Sequence, residues 1–142
     1  MLFFGYLFSA NLTKVFNSIK DGKITNIEAI ESKRFGMVIE VKSDKIDEYN
    51  KLHRNVWPGV LEQLEESNIR NYSIFLQQIG SRYYLFSYYE YVGNNYESDM
   101  KRMAADSTVQ AWWDITESYQ IPLDSRQEGE WWTQMEEVFH HE

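Results

Sequence analysis

His53 is the residue of this sequence best suited to moving a proton, because an imidazole titrates near neutrality and can serve as general acid or base without a metal. Two other histidines, His140 and His141, close the sequence, where surface positions are expected. His53 lies on a stripe at spacings of three and four, Ile46, Tyr49, His53, Val56, Val60, Leu61 and Leu64, the face a helix turns toward a sheet. Histidines on apolar faces are more often structural. Here Tyr49 lies one turn earlier on the same face and brings a hydroxyl beside the imidazole, which favours chemistry.

Trp112-Trp113 form a second constellation. Adjacent helical residues point about 100° apart, so at most one indole faces a pocket squarely and the other packs in the core. An indole suits the C–H face of a sugar ring, while tyrosine or asparagine can meet its hydroxyls. The acidic cluster Glu128, Glu130, Glu136 and Glu137 is expected to be solvated, and Asp106 reads as a helix cap rather than a base. No glycine-rich phosphate loop, His-Glu-x-x-His, serine elbow or calcium loop occurs, and no metal site is expected.

The chain has 142 residues, room for one domain with a modest extension, and its 43% hydrophobic and 25% charged residues are the balance of a globular protein. Aromatic residues reach 16%, with five Trp, ten Tyr and eight Phe, so a core or pocket is built from flat rings. A formal net charge of −8 with no basic run argues against nucleic acid. The absence of cysteine removes disulfides, thiolate nucleophiles and cysteine zinc sites, and fits a reducing cytoplasm. The apolar opening Met1 to Phe8 has no basic stretch before it and falls short of the about 20 residues that cross a bilayer, so neither a signal peptide nor a membrane span is expected.

The elements that must position these residues follow from periodicity. Residues 1–32 stand apart as an N-terminal extension, an upstream start wrongly chosen or a short amphipathic helix in which Leu12, Val15, Phe16 and Ile19 share a face and Asp21-Gly22 ends the run. The main domain, 33–142, opens with a β-type run from Phe35 to Val41 leading into the His53 helix at Ser43-Asp44. Pro58 predicts a kink or break near Asn55 to Trp57. Asn71 to Ile79 and Arg82 to Val92 form an antiparallel hairpin around Gly80-Ser81, and Tyr83, Tyr84, Tyr88, Tyr89 and Tyr91 must divide between its two faces. A helix holding Tyr96, Met100 and Met103 follows, then one capped by Asp106, and Trp131 to Phe139 closes as a strand. The order β-α-β-β-α-β defines an α+β, ferredoxin-like split β-α-β sandwich whose open sheet face is often covered by dimerisation.

Tyr49-Asn50-Lys51-Leu52-His53-Arg54-Asn55-Val56-Trp57-Pro58 resembles the signature of the L-rhamnose mutarotase family, a Tyr, a His four residues later, then Trp-Pro. Asn71 to Leu76 resembles the family's second strand, Ala104-Ala105-Asp106 with Gln110-Ala111-Trp112-Trp113 its double-tryptophan helix, and Met135 to Phe139 its closing strand, so the resemblance runs from about Lys33 to His140. It implies a homodimer of the dimeric α/β barrel type that interconverts the α and β anomers of the monosaccharide L-rhamnose without a cofactor. It also implies His53 as catalytic acid and Tyr49, Tyr72, Trp112 and Trp113 as sugar-contacting residues; Tyr72 has no distinction apart from the resemblance. An L-fucose mutarotase, a non-catalytic sugar-binding module and a cofactor-free oxygenase are the competing readings, since fold does not settle substrate.

Overall fold

Strand alternation places Phe35, Met37, Ile39 and Val41 on one face of the strand that opens the main sheet, and the two at its end are almost completely buried, Ile39 at 0% and Val41 at 2% exposure. The computed structural model describes residues 15–20, 23–28 and 32–141. Its strands are β1 (Val15–Lys20), β2 (Lys23–Glu28), β3 (Lys33–Val41), β4 (Ile69–Ile79), β5 (Arg82–Tyr91), β6 (Gln120–Ile121) and β7 (Thr133–Met135). Its helices are α1 (Ile46–His53), α2 (Pro58–Glu66), α3 (Tyr96–Ala105) and α4 (Ser107–Tyr119).

The main sheet is antiparallel in the order β4-β5-β3-β6, with β7 also paired to β3. Each helical step of the expected β-α-β-β-α-β order is a pair of helices, and the topology is the ferredoxin-like one. β5 sorts its tyrosines by period two. Tyr83, Tyr89 and Tyr91 share the helix-covered face with Leu85, while Tyr84 and Tyr88 face the other side. Two clusters fill the space under the helices: Ile39, Val41, Tyr49 and Leu85 at one end, and Ile69, Tyr89, Tyr91 and Met100 at the other.

Pro58 has the effect expected of it. α1 stops at His53 and α2 begins with Pro58 in its first turn, where a missing N–H costs nothing. The restart resets the helical phase: Val60 is buried, but Leu61, expected on the inward stripe, is 48% exposed. Asp106 caps α4 by accepting from the Thr108 and Val109 N–H groups, each at 2.9 Å. Gly80 turns the β4–β5 hairpin in a left-handed conformation, φ 63°.

Two expectations need correction. Val15 to Lys20, read as part of a helix, is strand β1, paired antiparallel with β2 from Val15↔Glu28 to Lys20↔Lys23. Val15, Phe16 and Ile19 are β-branched or aromatic and suit a strand, and Asp21-Gly22 is as much a two-residue hairpin signal as a helix stop. Leu12 and the apolar opening Leu2 to Phe8 lie outside the described residues. The closing strand, expected from Trp131 to Phe139, is only Thr133–Met135, and beyond it Val138 and Phe139 are 88% and 80% exposed. Among the described residues no helix is long and apolar enough to cross a membrane.

Candidate active site

α1 ends on His53, and its last turn supplies the histidine's first partner. The Nδ1 of His53 lies 2.9 Å from the Tyr49 carbonyl oxygen. A carbonyl only accepts, so Nδ1 carries the proton and Nε2 is the nitrogen left for a substrate. The Tyr49 ring lies against the imidazole, centroids 4.0 Å apart and planes 24° from parallel. Burial pushes the pKa of His53 below its usual value, and the Tyr49 carbonyl only partly offsets this.

The second wall comes from α4. Trp112, 6% exposed, meets the His53 ring edge-on at 5.2 Å and the Trp57 ring edge-on at 5.4 Å. Trp57 immediately precedes Pro58, so the helix break that ends α1 also delivers an indole to the site. The double tryptophan divides as helical geometry requires. Trp112 joins His53, whereas Trp113 is half-buried and among the described residues makes no ring contact with this group.

Tyr72 reaches the site through an irregularity in β4. Arg70 pairs with Glu90 but Ser73 pairs with Tyr88, so Asn71 and Tyr72 together oppose Tyr89, with Asn71 in a left-handed conformation, φ 52°. This β-bulge shifts the alternation by one residue and turns Tyr72 to the helix-covered face. There its ring lies edge-on to Tyr89 at 5.6 Å. Although 41% of the residue's surface is exposed, burial of its phenol pushes the pKa up to about 12. Burial, and next the Tyr72 phenol, raise the pKa of Tyr49, while interaction with Gln120 opposes the rise. Tyr89 is raised as well, first by burial and then by Tyr96, whose hydroxyl it meets at 2.7 Å. All these phenols stay protonated near neutral pH and can donate.

Beyond Tyr89 the row opens on a cavity of ≈ 40 Å³ walled by Phe35 of β3, Tyr89 of β5, Tyr96 of α3, and Glu130, Trp132 and Gln134 of the closing segment. Glu130 departs from the expected solvated cluster. It is only 7% exposed, whereas Glu128 and Glu136 are exposed and Glu137 pairs with Arg34 at 2.8 Å. A turn closed by the Glu130 N–H on the Gln127 carbonyl, with Gly129 at φ 84°, folds it inward. The sequence signal for Glu130 is its place directly before two tryptophans, a poor setting for a solvated acid. Tyr89 and Tyr96 carry no signal beyond their aromatic character, and Trp57 is marked only by its place in the Trp-Pro of the family resemblance. Among the described residues no group of three or more His, Asp or Glu side chains is arranged to hold a metal ion.

The site thus brings together Tyr49, His53 and Trp112, has Tyr72 on the same sheet face against Tyr89, and leaves Trp113 to one side. Residues 34–141 match the family model described as L-rhamnose mutarotase. An L-rhamnose mutarotase of Oceanobacillus iheyensis is 34% identical over 114 residues, covering 76% of this chain and 97% of the relative. Among solved structures, an L-rhamnose mutarotase from Formosa agariphila superposes with a TM-score of 0.57 at 21% identity, over 78% of this chain and 99% of the other. A NIPSNAP family protein from Agrobacterium tumefaciens gives a TM-score of 0.51 at 18% identity, over 77% and 96% of the two chains. Both structural likenesses concern the fold.

Proposed function

The chain belongs to the L-rhamnose mutarotase family, and from that membership we propose that it is an isomerase interconverting the α and β anomers of L-rhamnose, with His53 as general acid. The observation that carries this reading is the seating of His53. Its ring is held between Tyr49 and Trp112, its Nδ1 is tied to a backbone carbonyl, and its Nε2 is left to exchange a proton with a ligand.

Mutarotation opens and recloses a hemiacetal. His53 in its cationic form gives the Nε2 proton to the ring oxygen as the C1–O5 bond breaks and the anomeric hydroxyl gives its proton to water. The open aldehyde turns about C1–C2, and the C5 hydroxyl re-adds to the other face of the carbonyl, returning its proton to His53 while the carbonyl oxygen takes one back from the hydronium formed at opening. One positioned acid contributes about 10² to 10⁴ in rate, and neither step needs a cofactor. Tyr49 and Tyr72 would meet sugar hydroxyls, Trp112 would cover a C–H face of the ring, and Trp113 would support Trp112 from the next position on α4.

The enzyme works in the cytoplasm as a homodimer, two copies meeting through the sheet face that no helix covers. That face carries Phe75 and Ile79, 63% and 54% exposed, and Met135 on β7 lies beside it. Residues 1–32 form an extension before the catalytic domain at 33–142.

Saturation-transfer NMR on L-rhamnose and L-fucose, with no protein, native protein and His53→Ala, tests the activity. Native protein should speed anomeric exchange of L-rhamnose and the variant should not. Faster exchange of L-fucose would reassign the sugar, and no acceleration of either would leave a binding module.

A further inference from the structure

Glu130 is held in place from both sides. Next to it the Trp131 indole N–H donates to Gln120 Oε1 at 2.8 Å, and three residues on β7 begins its pairing with β3. The carboxylate so fixed is buried, and its Oε2 has no hydrogen-bond partner. Burying a charged acceptor unpaired is costly, and the cost is recovered when a ligand supplies the donors.

The surroundings define that ligand. An anion would be repelled by Glu130. A cation would use the carboxylate, the oxygens and the rings but leave the phenol O–H and Gln134 amide N–H donors without acceptors. Neighbouring hydroxyl groups use all three kinds of wall, donating to the carboxylate while accepting from a phenol or an amide, with Phe35 and Trp132 available to C–H surfaces. The cavity also continues the catalytic group: Tyr49 touches His53, the Tyr49 and Tyr89 phenols both respond to Tyr72, and Tyr89 bonds Tyr96 at the cavity wall. Tyr72 thus lies near both Tyr49, which stacks on His53, and the Tyr89–Tyr96 pair at the cavity.

We propose that Glu130, with Tyr96 and Gln134, forms a diol-binding subsite that grips adjacent ring hydroxyls remote from the anomeric carbon and so sets which sugar is accepted. The proposal rests on the mutarotase reading. It makes Glu130 a substrate-binding residue, with proton transfer at C1 left to His53.

The test separates binding from turnover. Methyl α-L-rhamnopyranoside cannot open its ring, so tryptophan fluorescence titration with it reads binding alone, while saturation-transfer NMR on L-rhamnose reads kcat and KM. Glu130→Gln should raise the glycoside Kd and the sugar KM together by about 10- to 100-fold, the loss expected for a hydrogen bond to a charged group, with kcat within a few-fold of native. If this variant does not fold, Tyr96→Phe, which keeps the ring and removes one cavity hydroxyl, should weaken glycoside binding by about 2- to 10-fold. An unchanged Kd, a loss of kcat at constant KM, or a native protein that binds no glycoside would each overturn the proposal. A native protein that binds the glycoside without speeding anomeric exchange would sink the mutarotase reading alone, and the Kd of Glu130→Gln would still decide the subsite.

Discussion

Tyr49 holds His53 twice, with its backbone carbonyl on Nδ1 at 2.9 Å and with its ring stacked at 4.0 Å, and neither contact uses the Tyr49 hydroxyl. Positioning and substrate contact can therefore be separated by mutation. Tyr49→Phe keeps both supports and should raise KM by about 2- to 10-fold, the share of one neutral hydrogen bond, with kcat preserved. His53→Ala should instead lower kcat by about 10² to 10⁴. NMR exchange measured over a range of sugar concentration distinguishes the two, and an equal fall in kcat for both variants would assign the Tyr49 hydroxyl a part in the proton transfer.

The pH dependence follows from burial of His53. Its folded pKa is below the usual histidine value, so the unfolded chain binds the proton more readily and folding stability from this group is complete above the unfolded pKa of about 6.5 and lost as pH falls through the folded value. Activity should run the other way. If the imidazolium donates first, kcat falls as pH rises through the folded pKa. A titration of the His53 ring proton by NMR beside a kcat profile gives both signs, and a kcat that rises through the same pKa would make His53 the initial base.

A third prediction concerns the end of the sheet beyond the site. A Cβ on Gly93 would overlap the Tyr91 hydroxyl oxygen and stand 2.8 Å from Asn68 Nδ2. Neither can swing away freely, because Tyr91 donates to Asp99 at 2.7 Å, accepts from the Asn95 N–H at 2.9 Å, and shares Asp99 with Asn68. Gly93→Ala should cost about 1 to 3 kcal/mol as overpacking, read as a lowered Tm. A Tm equal to native would show that the turn relaxes around the methyl group.

Asp99 gives that network its own pH response. Burial would raise the carboxyl's pKa, but hydrogen bonds from Tyr91 and Asn68 with the nearby Arg102 charge bring it below the usual range. Its contribution to stability is present above the unfolded carboxyl pKa and lost as pH falls through the folded one. Asp99→Asn should flatten the acid side of the Tm-against-pH curve; a curve parallel to native would place the acid sensitivity elsewhere.

The proposed assembly is open to a direct test on the uncovered sheet face. Phe75→Asp places a charge on the edge strand of that face and should convert a homodimer to a species of about 17.0 kDa in sedimentation. A native protein that already sediments as one chain, or a variant that stays paired, would move the contact from this face.

The elements that carry a strong period were readable in the sequence. The His53 helix, the break at Pro58, the Gly80-Ser81 hairpin and the Asp106 cap each rest on a local rule, and each is present. The extension misled because Val15, Phe16 and Ile19 fit a helical spacing while Val15 and Ile19 also share one face of a strand over so short a run. Glu130 was hidden for a different reason: its burial depends on a turn and on an indole anchored eleven residues away in sequence, contacts that no spacing rule encodes. Trp112 and Trp113 were readable as a pair with one inward member, and only packing against α1 decided which.

The bulge at Asn71 makes β4 a text with two reading frames. Ile69 faces the helices by odd count and Tyr72, Ile74 and Leu76 by even count, so loss of Asn71 would erase the change of frame, setting Tyr72 opposite Tyr89 alone, while Tyr72 and every residue after it kept its side of the sheet. A comparison of related chains by matching letters alone would record such a loss as a one-residue gap, which in a strand reads as a turn of every later side chain to the other face, although here no side chain would turn.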